Sequence, residues 1–444
     1  MLRFGTDGVR GDADFELPAE FVGALGRAVA RVLAADHVLV GRDTRESGGR
    51  IAADLAAGMA REGTTADMLG VLPTPAIAFH AAADCVPAAI VSASHNPWRD
   101  NGVKVVAADG RKLADHTEEA IEAALEAFVA AGAEDAGSRP AGDFRADDRR
   151  AATYVAHLLG ALAGRELGGL RVVLDCANGA TFAVGPDALR AAGADVVVLH
   201  AEPDGRNINE GCGSTHPESL QAAVVAQGAA MGLALDGDGD RVLAVDERGA
   251  LVDGDEILVM SALDLHRRGA LRNGALAVTV MSNLGLRRAL AAEGIAVIET
   301  PVGDRHVVAA MQEHQLVLGG EQSGHIVYDD YATTGDGLLT GLFVCDLVRR
   351  TGRTLSELAV QMRHVPQILE NVRVARAADV EGSPAVGSAV DAATARLGES
   401  GRVLVRASGT EPLVRIMVEA DERAVAQETA AKLRSVVEDE FGGS

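Results

Sequence analysis

The sequence predicts a multidomain α/β protein, with three similar α/β/α units built on mixed sheets and a smaller α+β domain at the C-terminus. Three observations carry this expectation. A strand–helix–strand pattern recurs three times along the 444 residues. Hydrophobic residues make up 48% but aromatics only 3%, so the cores must be built from Ala, Val and Leu, which suits layered helices and sheets. After "RHVPQILENVRV" the pattern changes to one Gly-rich loop and a long helix starting near Glu422.

The repeats open with "HVLVGRDTRESG" (from His37), "RVVLDCANGAT" (from Arg171) and "ALAVTVMSNLGL" (from Ala275). Each is a β-rich run that breaks into a small polar loop. An Ala/Leu/Arg-rich helical stretch follows and stops at Gly63, Gly193 or Gly294, where glycine signals a helix C-terminus. A second strand comes next, then a loop bearing Pro or Gly. Further along lie "AAIVSASHNP", "MGLALDGDGDR" and "QLVLGGEQSGH", polar segments placed just after a strand in all three repeats. In α/β sheets ligands bind at the carboxyl ends of strands. The Gly/Ala/Asp-rich stretch Ala130–Arg150 reads as a linker, and "GALVDGD" near Gly249 as a second boundary. The expected domains are residues 1–150, 151–250, 251–365 and 366–444.

Charge and cysteine usage exclude several function classes. With 41 Lys and Arg against 64 Asp and Glu, the net charge is −23, which disfavours nucleic acid and anionic membranes as partners. An anionic small molecule binds such a chain only where cationic groups gather. The four cysteines (Cys85, Cys176, Cys212, Cys345) form no C-x-x-C pair, so neither a disulfide framework nor a zinc motif is expected. No apolar run reaches the roughly 18 residues that a membrane span needs. A cytoplasmic protein is the expectation.

"LALDGDGDRVLAVD" is the strongest metal signal. Asp236, Asp238 and Asp240 alternate with glycines, so three carboxylates can converge on one hard cation, Mg²⁺ or Ca²⁺. An EF-hand would also place a Glu twelve residues from its start, as Glu247 is here. Its sixth position needs Gly, however, and holds Arg241, and both flanks read as strands.

In "VSASHNPWRDNGVK", Ser94 with His95 beside it and Lys104 beyond could be a nucleophile with basic neighbours. No G-x-S-x-G elbow surrounds either serine, which disfavours an α/β-hydrolase triad. Asn96-Pro97 is read as a turn, with Asn101-Gly102 folding the chain back to bring Lys104 alongside. "VRASGTEPLVR" offers an anion nest of Ser408, Gly409 and Thr410 between Arg406 and Arg415. "LGGEQSGHI" supplies Glu321, Ser323 and His325, partners suited to neutral sugar hydroxyls. Arg10 lies between glycines in "FGTDGVRGD".

These five segments, in this order along essentially the whole chain, resemble the α-D-phosphohexomutase superfamily. GEQSGH and SGTEP are most similar to its branch acting on glucosamine phosphates. The resemblance implies a heart-shaped enzyme of four domains around a central cleft, the fourth closing over it. It implies interconversion of glucosamine 6-phosphate and glucosamine 1-phosphate through a glucosamine 1,6-bisphosphate intermediate, with one Mg²⁺ per active site, supplying UDP-N-acetylglucosamine synthesis. By the same resemblance Ser94 is the phosphoserine and binds the metal with Asp236, Asp238 and Asp240. Arg10 and Arg241 go to the transferring phosphoryl group, Lys104 and His325 to proton transfer, and His95 to support of the serine loop. Asp304, in "TPVGDRHV", joins Glu321 and Ser323 at the sugar, and Arg406, Ser408, Gly409, Thr410 and Arg415 hold the distal phosphate. Trp98-Arg99 departs from the aromatic pair common after HNP. A homodimer, as in relatives, is compatible with apolar residues in the first unit. The rivals are a phosphomannomutase/phosphoglucomutase and a non-catalytic metal or sugar-phosphate binding protein.

Overall fold

The computed structural model describes residues 8–132, 147–374, 380, 382–407 and 413–442. Most of the expected linker and Ser408, Gly409 and Thr410 lie outside the described residues. The chain divides into two compact parts, one of residues 1–281 and 295–361, the other of residues 282–294 and 362–444.

The first part opens with β1 (Val9–Asp12), α1 (Ala19–Leu33), β2 (His37–Arg42), α2 (Gly48–Arg61), β3 (Thr65–Val71), α3 (Thr74–Asp84), β4 (Ala88–Val91), β5 (Asp100–Val106) and α4 (Asp115–Ala130). Its sheet has the order β1-β5-β4-β2-β3. Next come α5 (Asp148–Ala161), β6 (Arg171–Asp175), α6 (Val184–Ala191), β7 (Asp195–Leu199), α7 (Glu218–Gln227), β8 (Met231–Leu235), β9 (Val242–Asp246) and β10 (Leu251–Val252), with sheet order β10-β9-β8-β6-β7. A third set follows: α8 (Gly254–Arg267), β11 (Ala275–Thr279), α9 (Leu284–Ala292, which belongs to the second part), β12 (Ala296–Thr300), α10 (Asp304–Glu313), β13 (Leu318–Gly320), β14 (Ile326–Tyr328), α11 (Gly337–Thr351) and α12 (Leu355–Ala359). Its sheet order is β12-β11-β13-β14.

The repeat seen in the sequence is thus a repeat of topology. β2, β6 and β11 each pair in parallel with the next strand along the chain (β3, β7, β12) and with the one after it (β4, β8, β13). That third strand then pairs antiparallel with a fourth: β5, β9 or β14. Burial on both faces demands apolar strands, and Ala88–Val91 and Met231–Leu235 are buried throughout. Gly63, Gly193 and Gly294 follow the helix ends with φ of 88°, 94° and 72°, the left-handed conformation that glycine adopts without strain.

Helices α1 and α2 cross at a contact that leaves no room for side chains. A Cβ on Gly26 would sit 2.1 Å from the Leu55 carbonyl oxygen, and one on Gly58 would sit 2.1 Å from that of Gly23. The surrounding core is small and aliphatic, with Val22, Leu25, Val29, Ile51 and Leu55 fully buried, as the scarcity of aromatics predicts.

The second part contains α9 and a three-stranded antiparallel sheet of order β15-β17-β16, made of β15 (Gln367–Arg373), β16 (Gly401–Ala407) and β17 (Leu413–Ala420), with helices α13 (Pro384–Leu397) and α14 (Arg423–Phe441). Val414, Ile416 and Val418 alternate along β17 and pack with Ala426, Ala430, Leu433 and Val437 of α14. Among the described residues, no helix is long and apolar enough to cross a membrane.

Candidate active site

The three polar segments singled out in the sequence occupy equivalent hairpins, between β4 and β5, between β8 and β9, and between β13 and β14. Ser94 lies in the first. It is 1% exposed and adopts φ 51°, a left-handed conformation uncommon for a residue with a side chain. Such strain persists only where neighbours over-determine the backbone, and here they do. The Ser94 N–H donates to Ser92 Oγ at 2.9 Å, and Ser92 Oγ donates to Asp43 Oδ2 at 2.7 Å. The Ser94 carbonyl accepts from Arg45 Nη2 at 2.8 Å and from Asn209 Nδ2 at 2.9 Å.

Arg45 organises the whole loop. Its side chain is fully buried and held by Asp43 Oδ2 at 2.9 Å, and it donates to the carbonyls of Ser94, Asn96, Pro97 and Asp100. One expectation is corrected here. Asn101-Gly102 makes no turn but lies inside β5; the chain reverses earlier, through the bonds Asn96 N–H to Ala93 O and Asp100 N–H to Pro97 O. Gly102 is needed because a Cβ there would meet the Val9 carbonyl oxygen of the neighbouring strand at 2.5 Å.

Against this serine stands the aspartate hairpin. Ser94 Oγ donates to Asp236 Oδ2 at 2.6 Å. Gly237 permits the approach, since its Cβ would lie 2.6 Å from the Ser94 carbonyl oxygen. Asp236, Asp238 and Asp240 are all buried, each offering an oxygen within 4.8 Å of the others. Burial foremost, then the charges of Asp240 and Asp238, holds the Asp236 carboxyl well above the usual carboxylate range. Burial and Asp240 push Asp238 upward too, but Lys104 and the Thr74 hydrogen bond outweigh them and its pKa falls. Asp240 is also lowered, because Lys104, His325 and Arg241 overcome its burial. Three carboxylates this close do not all ionise unaided, which is the electrostatic signature of a place for a dication. The atoms fit one: Asp238 Oδ1 and Asp240 Oδ1 are buried without a hydrogen-bond partner, and every donor is a hard oxygen.

Basic groups surround the carboxylates. Lys104 Nζ donates to Asp238 Oδ2 at 2.9 Å and lies 3.7 Å from Asp240 Oδ2. Arg241 donates to His95 Nδ1 at 3.1 Å, and that nitrogen is 3.3 Å from Ser94 Oγ. Burial, then the charges of Arg241 and Arg10, lowers the His95 pKa to about 4, so at neutral pH this ring is an uncharged acceptor beside the serine. Arg10, on β1, therefore bears on the same site.

His325, just before β14, reaches Asp240 Oδ2 at 3.6 Å and Asp304 Oδ2 at 3.7 Å. The Gly335 N–H approaches its Nε2 at 3.1 Å. Burial alone would lower its pKa, but the hydrogen bond and charge of Asp240, followed by Asp304 and Glu321, raise it to about 9. Asp304 is engaged on its other side by Lys112 Nζ at 2.6 Å. Glu321 accepts from the Gly303 N–H at 3.3 Å, and Ser323, exposed, donates to Glu321 at 3.4 Å.

In the second compact part, Arg406 of β16 and Arg415 of β17 are direct partners in the antiparallel register. Sequence reasoning missed Asp43, Arg45, Thr74 and Asn209. "GRDTRES" carries the first two after β2, and alternating Asp and Arg at a strand end was the available signal.

Known proteins resemble the chain along nearly its whole length. Residues 1–129, 152–249, 253–365 and 369–436 match phosphoglucomutase/phosphomannomutase α/β/α domains I, II and III and the C-terminal domain of the same enzymes. The chain belongs to the phosphoglucomutase/phosphomannomutase family of isomerases. It is 51% identical to the phosphoglucosamine mutase of Frankia alni, over 98% of this chain and 97% of that one. Against the phosphoglucosamine mutase of Moorella thermoacetica it is 50% identical, over 98% of each chain. Among solved structures, a phosphoglucomutase/phosphomannomutase family protein of Burkholderia thailandensis superposes with a TM-score of 0.79 at 25% identity, over 99% of this chain and 96% of that one. Aspergillus fumigatus N-acetylphosphoglucosamine mutase, solved with GlcNAc-6P and magnesium, shares the fold with a TM-score of 0.68 at 19% identity, over 99% of this chain and 96% of that one.

Proposed function

We infer that the chain is a phosphoglucosamine mutase, interconverting glucosamine 6-phosphate and glucosamine 1-phosphate. The observation that carries this reading is a buried, strained serine whose Oγ lies 2.6 Å from one of three clustered aspartates, in a chain about half identical to phosphoglucosamine mutases over nearly its full length.

In this reading Ser94 Oγ carries the phosphoryl group between turnovers. It gives the group to the free hydroxyl of the sugar monophosphate, the hydroxyl proton leaving to a base, and glucosamine 1,6-bisphosphate results. Ser94 then takes back the other phosphate. Asp236, Asp238 and Asp240, with the phosphoserine, would hold one Mg²⁺, and its charge would offset that of the transferring phosphoryl. Lys104 and His325 exchange protons with the sugar oxygens. Arg10 and Arg241 draw charge from the phosphoryl oxygens, and His95 braces the serine loop. Glu321 and Ser323 take sugar hydroxyls, and Asp304 favours an amino group. Arg406 and Arg415, with Ser408, Gly409 and Thr410, are assigned to the phosphate that does not react. The four proposed domains are residues 1–150, 151–250, 251–365 and 366–444.

The test joins mass analysis to substrate comparison. The wild-type protein should yield a phosphopeptide containing Ser94, and Ser94→Ala should lose both that peptide and turnover. Full turnover in Ser94→Ala would overturn the mechanism. A kcat/KM for glucose or mannose phosphates exceeding that for glucosamine phosphates would transfer the chain to the phosphomannomutase/phosphoglucomutase reading.

A further inference from the structure

We propose that Asp175, His200 and Cys212 form a second cation site, for a thiophilic divalent ion of the Zn²⁺ class, behind the loop that supports Ser94. The three residues are far apart in sequence, so no spacing motif announces them. Asp175 ends β6, His200 follows β7, and Cys212 precedes a short turn of 3₁₀ helix at Gly213–Thr215. Each offers one donor atom, all within 4.8 Å of one another, and Asp175 and Cys212 are fully buried.

Two features distinguish this cluster from an ordinary buried polar group. The Asp175 carboxylate is fixed by the backbone, accepting from the Ala177 N–H at 2.9 Å and the Gly213 N–H at 3.0 Å, one bond to each oxygen. Each oxygen keeps a lone pair, and such outer hydrogen bonds are what orient a metal-ligating carboxylate. His200 Nδ1 is buried and lies 3.0 Å from Asp175 Oδ2, yet the pair does not meet hydrogen-bond geometry. Atoms that close but misaligned are what two ligands aimed at a shared third point produce. His200 also holds φ 48°, a left-handed conformation that no step of the proposed mechanism uses.

The donor chemistry selects the ion. Imidazole and thiol are poor partners for Mg²⁺ and good ones for Zn²⁺, the reverse of the all-oxygen aspartate triad. Cys212 binds a cation as the thiolate. On binding, the thiol proton passes to solvent. One thiolate and one carboxylate then cancel the dication, leaving no net buried charge. The partly exposed His200 ring leaves an approach for water as a fourth ligand.

The site would act on the catalytic loop without touching substrate. Asn209, three residues before Cys212, donates to the Ser94 and Asn96 carbonyls, and its own N–H bonds the Ala177 carbonyl. A cation joining Cys212 to Asp175 would stiffen that support.

Co²⁺ is the probe, added to chelator-treated protein with Mg²⁺ in excess to occupy the oxygen triad. One equivalent should produce thiolate-to-cobalt charge-transfer absorption and the intense visible bands of four-coordinate cobalt. Cys212→Ser should abolish the charge-transfer band, and His200→Asn should weaken binding by at least about tenfold. Asn tolerates the left-handed conformation, so His200→Asn keeps the test decisive if Cys212→Ser does not fold. Absence of the band at one equivalent, unchanged affinity in His200→Asn, or loss of the band in Cys85→Ser would each overturn the proposal.

Discussion

At the scale of single residues, the serine loop depends on one buried cation. Arg45 donates to four carbonyls of that loop, and its own charge is matched by Asp43. Arg45→Met should therefore destabilise the protein by roughly 3–5 kcal/mol, the effect of breaking a buried pair, and lower kcat. Urea unfolding and steady-state assays check both. Asp336 gives a pH-dependent counterpart. It caps α11, accepting from the Leu339 N–H at 2.9 Å and the Tyr154 hydroxyl at 2.8 Å, but burial outweighs these bonds and raises its pKa to about 6. The folded state therefore holds this proton more tightly than the unfolded chain, whose Asp titrates near 3.9. Its contribution is fully present below about pH 4, declines as pH rises to about 6, and is constant above; the change amounts to about 3 kcal/mol. Asp336→Asn should remove that part of the pH dependence, read from unfolding free energies at pH 4.5 and pH 7.

At the scale of elements, the sequence carried much of the order of strands and helices because local signals and tertiary demands agreed. The glycines after α2, α6 and α9 adopt the left-handed turn expected of them. Asn101-Gly102 shows the opposite case. The dipeptide is a turn signal in isolation, but Asn101 donates to Ser47 Oγ at 2.8 Å and Gly102 serves the close approach of β1. Packing overrode propensity there. Gly58 makes a sharper prediction. In isolation Gly→Ala stabilises a helix interior by roughly 0.5–1 kcal/mol. At the α1–α2 crossing the added methyl would meet a backbone carbonyl, and the overpacking cost of about 1–3 kcal/mol should win. Gly58→Ala should therefore lower the melting temperature, whereas Gly160→Ala in α5, which meets nothing within 4 Å, should not.

At the scale of the molecule, the site was legible where chemistry is concentrated in short runs, as in DGDGDR and SASHNP. It was illegible where a residue works by reaching across the fold. Thr74 contacts Asp238, and Asn209 contacts Ser94, through partners more than a hundred residues away. The same reasoning hides Asp175, His200 and Cys212 from any spacing rule. Dication binding at the aspartate hairpin should couple to global stability. Saturating Mg²⁺ at a hundred times its Kd should stabilise the wild type by about 2.7 kcal/mol, and Asp238→Asn should lose most of that gain in a thermal melt.

The three equivalent hairpins have one more consequence. The serine, aspartate and GEQSGH segments each cap the same two strands of a separate sheet, so one hairpin used three times presents three different sets of side chains. Under the proposed function, substrate preference would lie on the β13–β14 connection and phosphoryl chemistry on those of β4–β5 and β8–β9. Tandem duplication of one ancestral unit would leave that division of labour behind, each copy free to specialise at its own edge.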